Sequence, residues 1–385
     1  MSEIPFNRPF LAGTELGYVR EAVEDGGLVS GGPFTQRCER WLRESTGAAR
    51  ALLSHSGTGA LEAAMMLAGL GPGDEAIMPS FAYPTMATAV VRQGATPVFV
   101  DVDPGTLNLD PRRVKEAIGP GTKAIVAVHY GGVGCEMDEL LSLSRAAGCV
   151  LIEDAAHCLL ATYRDRSLGA IGDLGTFSFH HTKNLISGEG GALLVNDPAL
   201  SERAEVVWEK GTDRSRFERG EVDRYTWVDV GSSFGASELT AAFLWGQLEA
   251  AAEVTARRRA VWERYHDGFA EAEEEGRLRR PHVPASQTHN GHLYYLVLPS
   301  AAARTAFIAS LREQGIVTSF HYVPLHSAPA GRSFGRVAGP MTHTDELSQR
   351  LVRLPLWPDL ADEQIERVIA ASRDAVSRAP AIDSY

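Results

Sequence analysis

From residue 50 to about 195 the chain repeats one pattern, a short apolar run followed by a stretch with helical spacing. The runs lie at 51–54, 75–78, 97–101, 124–128, 150–154, 176–179 and 192–195. In Ala124-Ile125-Val126-Ala127-Val128 and Val150-Leu151-Ile152 apolar residues follow one another without alternation, so such a strand needs cover on both faces. Residues 58–70 and 136–147 have the helical spacing that can supply the cover. The expected architecture is a three-layer α/β domain whose mainly parallel sheet has about seven strands.

Residues 236–271 predict long helices, with Arg257-Arg258-Arg259 on a solvated face and a link between domains nearby. Beyond them, strands at 293–298 and 317–320 and helices at 301–314 and 361–377 predict a smaller α+β domain. The expected division is 1–250 and 251–385, in keeping with a chain too long for one ordinary domain.

The net charge of −12 argues against nucleic acid or an anionic membrane as a partner, so an anionic ligand has to be met by local groups. Cys38, Cys135, Cys149 and Cys158 show neither metal nor disulfide spacing and read as buried or partly buried thiols in a reducing compartment. The segment Met1–Arg8 lacks a basic region followed by an apolar core, and no apolar run approaches membrane-spanning length. The expected location is the cytoplasm.

Only four of the 37 basic residues are lysines: Lys115, Lys123, Lys183 and Lys210. Lysine can lose its proton and attack a carbonyl, which arginine cannot. Lys183 stands just before the turn Gly188-Glu189-Gly190-Gly191, a setting that suits a Schiff-base lysine holding pyridoxal phosphate. On position and composition alone, a surface lysine spared by chance is an equal reading.

Such a cofactor also needs an acid at its pyridine nitrogen, a phosphate cup and a ring-stacking partner. Asp154 ends an apolar run, where the ligand crevice of an open α/β sheet lies, although a helix-capping aspartate is common at the same place. Ser56-Gly57-Thr58-Gly59 follows the first run and opens a helix, so free amides and the Thr58 hydroxyl could meet a phosphate. Ser178 adds a second hydroxyl five residues before Lys183, and Tyr83 lies just past the second strand, where an aromatic ring could cover the cofactor. Alone, each of these is an ordinary turn or core residue. His180-His181, His289 with His292, and His321 with His326 lack metal-ligand spacing, and no metal site is expected.

Together these segments resemble the DegT-type sugar-nucleotide aminotransferases, a branch of the aspartate-aminotransferase fold (fold type I). The resemblance rests on Pro79-Ser80-Phe81, Val128-His129-Tyr130-Gly131-Gly132, Glu153-Asp154-Ala155-Ala156-His157, the run Phe177–Lys183 and Gly188–Gly191. Ile4-Pro5-Phe6-Asn7, Gly13-Thr14-Glu15-Leu16, Phe34–Cys38, Cys135–Asp138 and Lys210–Ser215 resemble the subgroup that aminates dTDP-4-keto-6-deoxy-D-glucose.

The resemblance implies that Lys183 bonds the cofactor and shuttles the proton, and that Asp154 pairs with the pyridine nitrogen. It puts His157 near the ring hydroxyl, Thr58, Gly59 and Ser178 on the phosphate, and Tyr83 on the ring. It also implies a homodimer with shared active sites, where a partner loop completes the phosphate cup. That loop commonly reads G-x-N-x-R; here Ser233 and Gly235 stand in the asparagine and arginine places, which puts the contact from Ser233 in doubt. Lys210, Arg214, Arg219 and His321 are candidates for the sugar nucleotide, a solvated loop being an equal reading for the three cations.

The expected reaction is a ping-pong transamination. L-glutamate gives its amino group to the cofactor, leaving pyridoxamine phosphate, which passes it to C4 of dTDP-4-keto-6-deoxy-D-glucose. The subgroup points to the galacto amine, while the arginine-rich composition favours the gluco amine, taken here as the expected product. Among rivals, a related dehydratase has histidine in place of the lysine, a nicotinamide-dependent epimerase would need an early dinucleotide fingerprint, and a non-catalytic sensor would carry no reactive lysine.

Overall fold

The structure, a computed structural model, describes residues 3–377. Met1 and Ser2 of the amino-terminal segment and residues 378–385 of the expected small domain lie outside the described residues.

The apolar runs become β1 (Arg50–Ser54), β2 (Glu75–Pro79), β3 (Thr96–Val100), β4 (Thr122–Val128), β5 (Val150–Asp154), β6 (Leu174–Ser178) and β7 (Gly191–Val195). They form one sheet in the order β1-β7-β6-β5-β4-β2-β3. Only β7 runs antiparallel to its neighbours, so β1, β2, β4, β5 and β6 all point the same way. Strand alternation explains the unbroken apolar runs. Ile125 and Ala127 face a core shared with helices Pro33–Thr46, Met137–Ala147 and Glu238–Glu249. Ala124, Val126 and Val128 face the opposite core, under helices Gly57–Leu67, Thr85–Arg92 and Ser201–Trp208.

The expected helical stretch 236–271 divides into Glu238–Glu249, Ala251–Gly268 and Ala270–Glu274. A separate apolar cluster then gathers β8 (Tyr294–Val297) and β10 (Leu351–Leu354) with helices Ala251–Gly268, Ala301–Glu313 and Asp362–Ser377. Ile4 joins this cluster from the other end of the chain. Between β8 and β10 the chain returns to the main sheet, where β9 (Arg336–Val337) adds an eighth strand beside β3. Asp101 holds this excursion by accepting the His343 and Thr344 amides.

The strand expected at 317–320 is absent. That segment makes single bridges at its two ends, Ile4 to Ile316 and Ser319 to Arg353, and Phe320 is exposed, so it lacks the continuous ladder that makes a strand. Among the described residues no helix is long and apolar enough to cross a membrane. Cys38, Cys135, Cys149 and Cys158 are unpaired and buried.

Candidate active site

The carboxyl ends of β1, β2, β4, β5 and β6 converge on one edge of the sheet, and a cleft of about 580 Å³ opens there. Thr58, Tyr83, Asp154, His157, Ser178 and Lys183 all line it. His321 reaches the same cleft from the second apolar unit.

Lys183 sits in a loop between β6 and β7 whose backbone is closed on itself. The Phe179 amide donates to Gly190 O at 2.8 Å, His181 to Gly188 O at 2.9 Å and Lys183 to His180 O at 2.8 Å. The glycines of this turn have steric reasons. Gly188 takes a φ of +79°, and a Cβ on Gly191 would lie 2.5 Å from the Gly57 amide nitrogen. The turn that carries Lys183 therefore packs directly against the helix start that follows β1. Burial pushes the Lys183 amine down to about 8, and the Asp154 charge keeps it from falling further.

Asp154 ends β5. One carboxylate oxygen accepts the Ala156 amide at 3.1 Å, so it caps the turn as a bare sequence reading allows and still faces the cleft with the rest of the group. Burial raises its pKa, opposed by the Ala156 N–H and the Lys183 charge. The residue before it, Glu153, is locked behind the sheet edge. Its carboxylate accepts from Gly169, Ile171 and Gly172 amides and from His129 Nε2 at 2.9 Å. The Cys135 amide donates to His129 Nδ1 at 3.1 Å, so the proton of this imidazole lies on Nε2, and the ring is a neutral strut between β4 and β5.

At the other end of the cleft, helix Gly57–Leu67 begins with Ser56 as its cap, the Ser56 Oγ accepting the Gly59 amide at 3.0 Å. The Gly59 N–H is thereby engaged. Those of Gly57 and Thr58 are the first of the helix and have no intrahelical acceptor. A Cβ on Gly57 would meet the Ser178 Cβ at 2.9 Å, which places the Ser178 hydroxyl beside these amides. The site thus offers two amides and two hydroxyls for an anion at one end, with a carboxylate and a reactive amine further along. That donor set fits a phosphorylated pyridine aldehyde.

His157 stacks on His292 with ring centroids 4.1 Å apart, and burial drives both well below the ordinary histidine range, so both are neutral. Asn184, next to Lys183, binds His292 Nδ1 at 2.9 Å and ties the lysine loop to the second unit. His321 Nδ1 and the buried Tyr130 hydroxyl share a hydrogen bond at 3.0 Å, and burial lowers the imidazole to about 2. Arg353 also lines the cleft.

Four candidates are not brought into the cleft of this chain. Lys210, Arg214 and Arg219 lie on an exposed segment paired with Glu209, Glu218 and Glu205 or Glu221. Ser233 is exposed and bridges Glu209. Sequence reasoning gave no role to Ser56, His129, His292 or Arg353. The first could have been found from its place before a helix, whereas Arg353 has no local signal. Among the described residues no group of three or more His, Cys, Asp or Glu side chains could hold a metal ion.

The sequence profile of the DegT/DnrJ/EryC1/StrS aminotransferase family matches residues 10–373. The chain belongs to this family. The aminotransferases of the family depend on pyridoxal phosphate. Among relatives, the Bacillus subtilis (strain 168) spore coat polysaccharide biosynthesis protein SpsC is 34% identical over 384 residues, covering 98% of each chain. The solved aminotransferase TlmJ from Streptoalloteichus hindustanus is 32% identical with a TM-score of 0.87, over 98% of this chain and 99% of that one. Spr1654 from Streptococcus pneumoniae, described as a sugar aminotransferase, has been solved in PLP and PMP forms. Its PMP form is 26% identical with a TM-score of 0.89, over 98% of both chains. These likenesses span the whole aminotransferase, both apolar units included.

Proposed function

We propose that this sugar aminotransferase moves the amino group of L-glutamate to C4 of dTDP-4-keto-6-deoxy-D-glucose, giving dTDP-4-amino-4,6-dideoxy-D-glucose. The observation that carries the reading is a lysine amine lowered to about 8 in the same cleft as Asp154, beside a helix start with free amides. Pyridoxal phosphate, when bound, supplies the electron sink and the carrier of nitrogen between the two substrates.

Thr58, Ser178 and the Gly57 and Thr58 amides hold the phosphate. Asp154 keeps a proton on the pyridine nitrogen, for which an ionised carboxylate is required, and the Lys183 charge favours that form. Tyr83, which lines the cleft, would cover one ring face, and neutral His157 would lie against the ring hydroxyl. Lys183 holds the cofactor between turnovers. Its free amine would take the proton from the donor α-carbon and later deliver one to C4 of the sugar.

The protein acts as a homodimer. Trp227 is 78% exposed and Val29 77%, and Leu16, Val23 and Val230 are exposed too, apolar side chains of the kind a second copy would bury. Lys210, Arg214, Arg219 and Ser233 lie near Trp227 in the chain, so in a dimer they can serve the partner's cleft. The proposed location is the cytoplasm.

The test is to incubate the holoenzyme with L-glutamate and the keto-sugar nucleotide and record the proton NMR spectrum of the product. A large H3–H4 coupling is expected. A small coupling replaces the product with the galacto epimer, and absence of any amino sugar rejects this substrate.

A further inference from the structure

His157 and His292 come from distant parts of the chain and meet as a nearly parallel pair, their ring planes 20° apart. Each ring has one nitrogen taken up by the protein. The Gly131 amide, which can only donate, reaches His157 Nδ1 at 3.4 Å, so the proton of this neutral ring lies on Nε2. His292 is the reverse. Asn184 Nδ2 donates to Asn290 O at 3.0 Å, which leaves Asn184 Oδ1 as the acceptor facing His292 Nδ1, so His292 carries its proton on Nδ1. Both rings line the cleft, and among the described residues neither Nε2 has a hydrogen-bond partner. The pair therefore offers the cleft one N–H from His157 and one lone pair from His292.

Asn290 sets the spacing of the two rings. Its Nδ2 donates to His157 O and Leu159 O, both at 2.9 Å, and its Oδ1 accepts the His292 amide at 3.1 Å. A Cβ on Gly132 would collide with that Oδ1, so only glycine admits this approach. Asn184, Asn290 and His292 are all buried.

We propose that Asn184 and His292 are positioning residues that hold His157 with its Nε2–H directed at the ring hydroxyl of the cofactor, and that they join this donor to the loop carrying Lys183. The inference rests on the transaminase reading, which puts His157 at that hydroxyl. An imidazole on its own can turn about its Cβ–Cγ bond and move its proton between two nitrogens. The 3.4 Å contact from Gly131 is too long to prevent both by itself. The flat face of His292 blocks the turn, and the bond to Asn184 fixes the plane of His292. Burial holds both rings neutral, and the charges of Lys183 and Arg353 push the same way, so the cofactor meets a hydrogen-bond donor and not a cation. Asn184 directly follows Lys183, so displacement of the lysine loop is passed through His292 to His157.

Nitrogen NMR of 15N-histidine-labelled enzyme freed of cofactor reads the tautomers without any turnover. His157 is expected to carry its proton on Nε2 and His292 on Nδ1, the signals being assigned by their loss in His157→Gln and His292→Phe. In Asn184→Ala the His292 proton should spread over both nitrogens, and in Asn184→Asp it should return to Nδ1. Cofactor titration gives a second readout. His292→Ala should weaken pyridoxal phosphate binding by about 10-fold and Asn184→Ala by about 3-fold, the order of one hydrogen bond. Both should move the absorbance of the loaded enzyme in the same direction as His157→Ala. In the His157→Ala background neither change should weaken binding further, since a positioning residue acts only through the ring it positions. Additive losses, or a His292 proton on Nε2 in the wild type, overturn the proposal. If the His292 and Asn184 variants do not fold, the wild-type tautomers decide. A wild-type enzyme with the expected tautomers that takes up the cofactor but accepts an amino group from no donor would instead reject the transaminase reading itself.

Discussion

The two walls of the cleft are built differently. One comes from the main sheet, where Lys183, Asp154, Thr58 and Ser178 sit at or just beyond strand ends and are braced by turn and capping hydrogen bonds. The other comes from the second apolar unit, where His321 and Arg353 lie on a bent segment and a short two-stranded ladder. In the proposed mechanism the first wall carries groups that any amino transfer needs. The second carries groups suited to choosing what is bound. Damage to the first wall should stop chemistry with every substrate, and damage to the second should change the ranking of substrates.

The largest effect is expected at Lys183. Lys183→Ala should lower kcat by at least about 1,000-fold with every donor, since the proton carrier is lost. If turnover survives, the division between the walls fails. Asp154→Asn should cost about 100-fold or more through loss of an electrostatic partner. It should also move Lys183, whose charged form Asp154 favours. The free amine is the form that takes up the cofactor, so uptake by the apoprotein should rise with pH through about 8. Removing the carboxylate destabilises the ammonium, so in Asp154→Asn the rise should come at lower pH. An inflection near the ordinary lysine value would contradict the buried setting.

Smaller losses are expected at the anion end. Ser178→Ala and Thr58→Val should each weaken cofactor affinity by about 10-fold, the worth of one charge-assisted hydrogen bond, with little change in turnover at saturation. His321→Gln is expected to alter keto-sugar KM by about 3- to 10-fold, a neutral contact's worth, while leaving the glutamate half-reaction within twofold. A His321 variant that harms both halves equally would blur the comparison.

The same contrast explains what could be read from the chain before its structure. The main-sheet wall was legible because β4 and β5 are apolar on both faces, and a polar residue at the end of such a strand stands out, as Asp154 does. The glycines at 188–191 marked a close approach, which the contact of Gly191 with Gly57 accounts for. Of the second wall only His321 was a candidate from the sequence. Arg353 lies in a strand of four residues, far along the chain from Lys183, and only the packing of Ile4 and β10 into one apolar cluster brings Phe6 and Arg353 together. The segment 317–320 looked like a strand by composition, but single bridges at its ends leave it irregular. The cap at Ser56 was not foreseen either: its hydroxyl accepts the amide of Gly59, the residue expected on the phosphate.

The central claim is that Lys183, of four lysines, is the one that bonds the cofactor. Borohydride reduction of the pyridoxal phosphate-loaded enzyme followed by peptide mass mapping tests it directly. The account predicts a single adduct on the peptide carrying Lys183 and unmodified Lys115, Lys123 and Lys210. A stoichiometric adduct on any of those three, or none at all in a fully loaded enzyme, would contradict it.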